Sequence, residues 1–141
     1  MKFQNILSWI FRAAAAIILL QTLYFKFTGH PESVELFTKL GVEPWGRVGT
    51  GVIELITGVL LLIPASAFIG GFLAMGLMVG AILSHLTVIG IESKGDGGLL
   101  FSLAIIVLVL SLLIQFLHKE QGVVIFKKFV KQENKTFEFQ A

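Results

Sequence analysis

Four charged or titratable residues in this otherwise apolar chain are spaced so that they could meet: Lys26, Arg47, Glu54 and His85. Glu54 is the sharpest signal, because a carboxylate inside a membrane-spanning segment is costly unless it is paired or hydrated. Arg47, Thr50 and Glu54 recur at helical spacing, which predicts a polar face that points into a helix bundle. At about 1.5 Å per residue, Glu54 lies roughly 10 Å deeper than Arg47.

Together the four residues could converge on a polar pocket near one surface of the membrane. Thr50 lies on the same polar face as Glu54. A purely structural interpretation stays open. In it, Glu54 only fixes the register of the helices and His85 is an interfacial residue. The remaining residues anchor the chain in the headgroup layer: Lys26, Arg47 and Trp45.

Several other chemistries are excluded. The chain has no cysteine, which rules out thiolate catalysis, disulfide exchange and iron–sulfur ligation by its own residues. No HxxH, HExxH or ExxH spacing occurs, so no metal site is predicted. The glycines between Gly95 and Gly98 follow a membrane span and lack the βαβ context of a nucleotide-binding loop. Redox chemistry would therefore need a cofactor or a partner protein.

Composition places the chain in a membrane. It has 141 residues, of which 55% are hydrophobic and 14% charged, whereas soluble domains carry about 25% charged residues. Because each helical span takes about 20 apolar residues, the length allows about four spans in a single domain, 1–141. The prediction is an all-α integral membrane four-helix bundle, with the lipid bilayer as partner and no nucleic acid.

The predicted spans cover about 6–27, 47–63, 65–89 and 99–117. A retained first helix is favoured over a cleaved signal peptide, because the apolar run continues past its alanines. Between the first two spans, Pro31 and Gly41 bound a short amphipathic surface helix at about 31–40, predicted to lie over the polar residues as a lid. Gly76, Gly80 and Ser84 form a small-residue stripe that permits close helix contact.

Lysine and arginine counts predict the orientation. The side with both termini carries Lys2, Arg12 and a basic amphipathic tail, 119–141, which is expected to rest on the membrane. Arg12 and Lys26 are expected to extend their charges toward water from the two ends of the first span. The termini are therefore predicted to be cytoplasmic, with the surface helix and the loop at 90–98 on the outer side.

The chain resembles the DoxX family of small four-helix bacterial membrane proteins, over nearly its whole length up to about His118. The features that carry the resemblance are Lys26 with Gly29, then Gly51, Glu54 and Gly58, and the stretches PWGR at 44–47, SHLT at 84–87 and GDGG at 95–98. The resemblance implies a four-helix bundle in the bacterial cytoplasmic (inner) membrane and an association with redox enzymes. Because the family is named after a subunit of a thiosulfate:quinone oxidoreductase, the resemblance also makes quinone a candidate cofactor, although the residues themselves identify no cofactor.

Three functions follow as hypotheses. The first is a quinone-binding redox subunit, with Glu54 and His85 catalytic and with Lys26, Arg47, Trp45 and Thr50 binding the ligand. In this hypothesis Lys26 and His85 donate hydrogen bonds to the quinone carbonyl oxygens, Glu54 transfers protons, and Trp45 contacts the ring. The electron donor would be another protein. The alternative is a non-enzymatic accessory protein that binds lipid or stabilises a partner, with a homo-oligomer open. A proton-coupled transporter ranks last, because four short helices leave little room for alternating access.

Overall fold

The computed structural model describes the backbone of residues 2–140 and the side chains of residues 2–132. Six α-helices occur in this part of the chain: α1 Lys2–Phe27, α2 Pro31–Lys39, α3 Trp45–Leu62, α4 Ala67–Ser84, α5 Leu99–Leu117 and α6 Lys119–Gln140. A 3₁₀ turn, Pro64–Ser66, precedes α4, and a π-helical turn, His85–Ile89, extends it. No strand occurs in residues 2–140, so the predicted all-α class is confirmed.

Four segments are long and apolar enough to cross a membrane: Lys2–Phe27, Trp45–Leu62, Pro64–Ile89 and Leu99–Leu117. They correspond to the four predicted spans, with small differences at the ends. The first helix begins at Lys2, earlier than the predicted start near residue 6, because helical hydrogen bonding continues through the polar residues that precede the apolar run. The predicted surface helix is present as α2, with Pro31 in its first turn.

The four spans form a ring around a small core. α1 packs against α3 and α5, and α4 packs against the same two helices. The core between them consists of small and branched apolar residues, among them Ala15, Leu19, Leu61, Ala74, Val107 and Ile114. Glycines set the helix spacing, because a Cβ at Gly70 would come within 2.8 Å of the backbone nitrogen of Leu61. Small residues at such crossings let helix backbones approach closely.

The predicted small-residue stripe on α4 has a different environment. Apart from its own helix backbone, nothing lies within 4 Å of a Cβ built at Gly76 or at Gly80, and both residues line a large cavity together with Ser84. The stripe therefore makes no close helix contact within the bundle. Close contacts are made at Gly58, Gly70 and Gly71, on faces that meet α1, α3 and α5.

Two glycines of α4 should respond in opposite ways to alanine. Gly70→Ala is expected to lower the free energy of unfolding by about 1–3 kcal/mol, because the added methyl group meets backbone atoms that cannot move aside. Gly76→Ala should leave stability unchanged or raise it by up to about 1 kcal/mol, since alanine favours the helix and the site is open. Equilibrium unfolding in detergent micelles measures both, and equal destabilisation would contradict the packing at Gly70.

Arg12 corrects one prediction from the sequence. Its side chain does not extend to water: the residue is 2% exposed and its Nε donates a hydrogen bond to the carbonyl of Leu61. The guanidinium also lies 4.4 Å from the centroid of the Trp9 ring. The reason is that Leu61 belongs to the last turn of α3, where carbonyls lack helical partners and the helix dipole favours a cation.

A second polar contact closes the same end of the bundle. The hydroxyl of Ser8 and Nε2 of His118, just after α5, are 2.7 Å apart. Burial, and then the nearby charge of Arg12, lower the pKa of His118. The side chain of Gln121 joins α6 to this end, because its amide donates to the carbonyl of Pro64 and its oxygen accepts from the backbone of Phe68.

The tail is a helix with two faces over its described part. Exposed apolar residues Val123, Phe126, Phe129 and Val130 lie on one arc, and Lys127, Lys128 and Lys131 lie on the other, which also carries the exposed Val124. This distribution is the one predicted for a basic amphipathic tail. The side chains of residues 133–140, including Lys135, and the whole of residue 141 lie outside the part that the structure describes.

Candidate functional site beneath the surface helix

A buried ion pair joins α1 to α3. The ammonium nitrogen of Lys26 lies 2.8 Å from Oε2 and 3.1 Å from Oε1 of Glu54. Thr22, one turn before Lys26, donates its hydroxyl proton to Oε2 over 2.9 Å and lies 3.0 Å from the ammonium nitrogen. These three side chains form the polar cluster. Of the residues that the sequence predicts to converge, Lys26 and Glu54 are in direct contact.

Close packing of α1 on α3 positions the cluster. A Cβ at Gly51 would come within 3.0 Å of the Phe27 ring, so only glycine allows this approach without a shift. The Lys26 and Glu54 side chains are 13% and 6% exposed. A carboxylate offers about four lone-pair positions, more than Lys26 and Thr22 occupy, so Glu54 keeps acceptor capacity for a ligand or water.

The polar cluster lies at the wall of a large open cavity. This cavity, of about 1150 Å³, is bounded by α1, α2, α3, α4 and α5 and by the loop that follows the π-helical turn. Four of the six predicted site residues line it: Lys26, Thr50, Glu54 and His85. Most of the remaining lining is apolar, with Phe25, Leu36, Ile53, Phe72 and Leu77 among the side chains that contribute.

The other two predicted site residues lie outside the cavity lining. Trp45 is 84% exposed at the first residue of α3. Arg47 pairs with Glu43, its Nε lying 2.9 Å from one carboxylate oxygen, and its Nη1 donates to the backbone carbonyl of Lys26. Arg47 therefore holds the end of α1 in place, next to Gly29. That either residue binds a ligand stays a prediction.

His85 reaches the cavity from the end of α4. The residue is 5% exposed, its Nδ1 lies 2.8 Å from the carbonyl oxygen of Gly90, and its ring meets the Phe101 ring edge to face. Within the described residues, no hydrogen bond joins His85 to Lys26 or Glu54. The two predicted catalytic residues therefore share a cavity without touching each other.

The surface helix lies over the polar residues and forms part of the cavity lining. Glu32, Leu36 and Phe37 of α2 belong to the lining. Glu35 forms an ion pair with Lys39, four residues later, at 3.5 Å, and a second ion pair with Lys94 of the loop across the cavity. The Lys94 pair was not predicted, because the two residues are far apart in sequence and loop geometry decides their contact.

Asp96 has a structural role that the sequence did not reveal. Its carboxylate accepts hydrogen bonds from the backbone N–H groups of Ser93, Gly98 and Leu100, which fix the loop and the start of α5. Partial burial alone would raise the pKa of Asp96. The three hydrogen bonds and the nearby His85 outweigh that effect and hold the pKa below its usual range.

The stability that Asp96 contributes should depend on pH. Because its pKa is lower in the folded protein than in the unfolded chain, the contribution is complete above about pH 5 and is lost as the pH falls below about 4. Asp96→Asn should therefore cost about 1 kcal/mol at pH 7. The difference in melting temperature between the two proteins should shrink toward pH 3. A difference that grows on acidification would contradict this role.

The comparisons with known proteins fit this architecture. A model of the DoxX-like family matches residues 10–114, a range that contains the polar cluster and His85. Comparison with curated proteins and with solved structures gives no match. Within the described residues, no group of three or more His, Cys, Asp or Glu side chains is arranged to hold a metal ion. Since the match covers well over half of its length, the chain belongs to the DoxX-like family of membrane proteins.

Proposed function

We propose that the cavity binds a quinone and that the chain acts as the membrane subunit of a quinone-linked redox system. The observation that carries the proposal is a polar cluster of Lys26, Glu54 and Thr22 at the wall of a largely apolar cavity. A quinone needs this combination, because its ring and tail favour apolar surroundings and its carbonyl oxygens need donors. Ligand sites commonly pair an apolar lining with a few placed polar groups.

The size and charge of the cavity support an uncharged lipophilic ligand. Its volume of about 1150 Å³ exceeds that of an ordinary drug-sized site, about 300–1,000 Å³, and leaves room for part of a tail. The lining contains Lys26 and Lys94 against Glu32, Glu54 and Asp96. This near balance of charges, with an excess of carboxylates, disfavours the phosphate of an anionic lipid.

Electrons would come from a partner protein, since the chain has no cysteine to carry them. The proposed role of Glu54 is to exchange protons with the bound ring, and that of Lys26 is to donate a hydrogen bond to one of its oxygens. The surface helix and its ion pair with Lys94 would exclude water from the ring during this exchange.

Mass spectrometry of organic extracts tests the proposal. The protein is purified from native membranes beside Glu54→Gln and, as a matched control, Glu120→Gln, which removes an exposed carboxylate at the start of α6, away from the cavity lining. We expect quinone at close to one molecule per chain in the wild type and in the control, and much less in Glu54→Gln. Bulk phospholipid alone in every sample would overturn the proposal and favour the accessory-protein hypothesis.

We also propose that both termini face the cytoplasm of the inner membrane, on the basis of the lysines of α6. Because the chain has no cysteine, single cysteines give a clean assay. A membrane-impermeant maleimide should label Thr38→Cys, on the surface helix, in intact cells whose outer membrane has been permeabilised. Lys127→Cys should react only after the inner membrane is opened. The reverse labelling pattern would invert the orientation.

A further inference from the structure

The hydrogen bond between His85 and Gly90 fixes which ring nitrogen of the histidine carries a proton. Nδ1 lies 2.8 Å from the carbonyl oxygen of Gly90. A carbonyl oxygen can only accept a hydrogen bond, so Nδ1 must be the protonated donor. In the neutral imidazole the other nitrogen, Nε2, is then an acceptor. The backbone N–H of Gly90 donates to the carbonyl of His85, which holds the two residues together.

Nε2 of His85 is available to a ligand. Nε2 has no hydrogen-bond partner among the described residues. Unpaired polar atoms that are fully buried occur at Arg12, His30 and Thr57 but not at His85, so Nε2 remains accessible. His85 lines the same cavity as Lys26 and Glu54. The Phe101 ring packs against the imidazole at a centroid distance of 5.7 Å and restricts its orientation. The cavity thus offers a donor at Lys26 and, at a separate position, an acceptor at Nε2 when the His85 ring carries only the Nδ1 proton.

We infer that Nε2 of His85 accepts a hydrogen bond from a hydroxyl group of the bound ligand, so that this side of the cavity recognises the aromatic diol, the reduced form of a quinone. A quinone carbonyl has no proton to offer Nε2, whereas each hydroxyl of the diol does. The inference differs from the hypothesis that His85 donates to a carbonyl oxygen. The inference rests on the proposed function and assigns no electron transfer to His85.

Binding of a short-chain ubiquinone, decylubiquinone, and of its diol, decylubiquinol, tests the inference. Titration calorimetry under anaerobic conditions, with protein in lipid nanodiscs, gives both dissociation constants. His85→Asn should weaken diol binding about tenfold, the cost of one lost hydrogen bond, and change quinone binding less than about twofold. Asparagine can keep the bond to Gly90 but has no group at the position of Nε2.

His85→Gln supplies the control for folding and position. Its longer amide reaches toward the position of Nε2 and offers an oxygen that can accept, so it should recover part of the diol affinity. Equal weakening of both ligands by His85→Asn, or no recovery with glutamine, would overturn the role of Nε2 and leave the proposed function intact. Failure of the wild type to bind either ligand would instead overturn the proposed function and this inference with it.

Discussion

Replacing Glu54 by glutamine should lower the free energy of unfolding of the bundle by about 3–5 kcal/mol. The substitution leaves the Lys26 ammonium in a largely buried position without its carboxylate, and Thr22 loses its charged acceptor. An uncompensated buried charge costs more than the hydrogen bond it formerly made. Unfolding in detergent micelles, followed by circular dichroism, measures the loss.

Two further variants separate the ion pair from a general surface effect. Glu35→Gln breaks two exposed ion pairs, with Lys39 and with Lys94, and should destabilise the protein much less than Glu54→Gln does. A double variant, Lys26→Met with Glu54→Gln, removes the stranded charge and should recover more than half of the loss. If Glu54→Gln is no more destabilising than Glu35→Gln, water in the cavity must hydrate the Lys26 ammonium group. The ion pair would then contribute little to the free energy of unfolding.

A large structural effect at Glu54 does not compete with the proposed ligand role. The same carboxylate can hold α1 against α3 and still present unused lone pairs to the cavity. The two contributions are separated by adding ligand, because a bound molecule stabilises the folded protein by mass action. Added quinone should raise the melting temperature of the wild type and leave that of Glu54→Gln almost unchanged.

The sequence predicts the larger features of this protein because they rest on periodicity and on the cost of burying charge. Four apolar runs of sufficient length give the four spans. An acid deep in one span needs a partner, and the sequence offers Lys26 or His85 on the same side of the membrane; the structure shows that the partner is Lys26. Proline and glycine signals likewise give the bounds of the surface helix.

The features that could not be predicted depend on how helix ends and loops lie in three dimensions. The position of Arg12 in the first span predicts a side chain that reaches the headgroups. Instead the side chain stays buried, because it donates a hydrogen bond to the carbonyl of Leu61, which has no helical partner. The ion pair between Lys94 and Glu35 and the contact of His85 with Gly90 depend on the loop after the π-helical turn. No sequence spacing encodes these contacts.

Larger side chains at Gly76 and Gly80, where α4 forms part of the cavity wall, should abolish ligand retention without unfolding the protein. Gly76 and Gly80 are one turn apart, both line the cavity, and a Cβ at either meets nothing within 4 Å. A double variant, Gly76→Leu with Gly80→Leu, therefore places two branched side chains in open space instead of in a packed contact. We expect at least about tenfold less quinone per chain after purification, because a flat ring can no longer lie against this wall.

The matched control is Gly49→Leu, which adds the same side chain at an open position on α3 that does not line the cavity. It should retain quinone at the wild-type level. All three proteins should unfold at similar denaturant concentrations, since leucine favours a helix over glycine by up to about 1 kcal/mol per site. Full quinone retention in the filled variant would contradict the cavity as the binding site. The ligand would then have to bind on the lipid-facing surface, where neither Lys26 nor Glu54 can reach it.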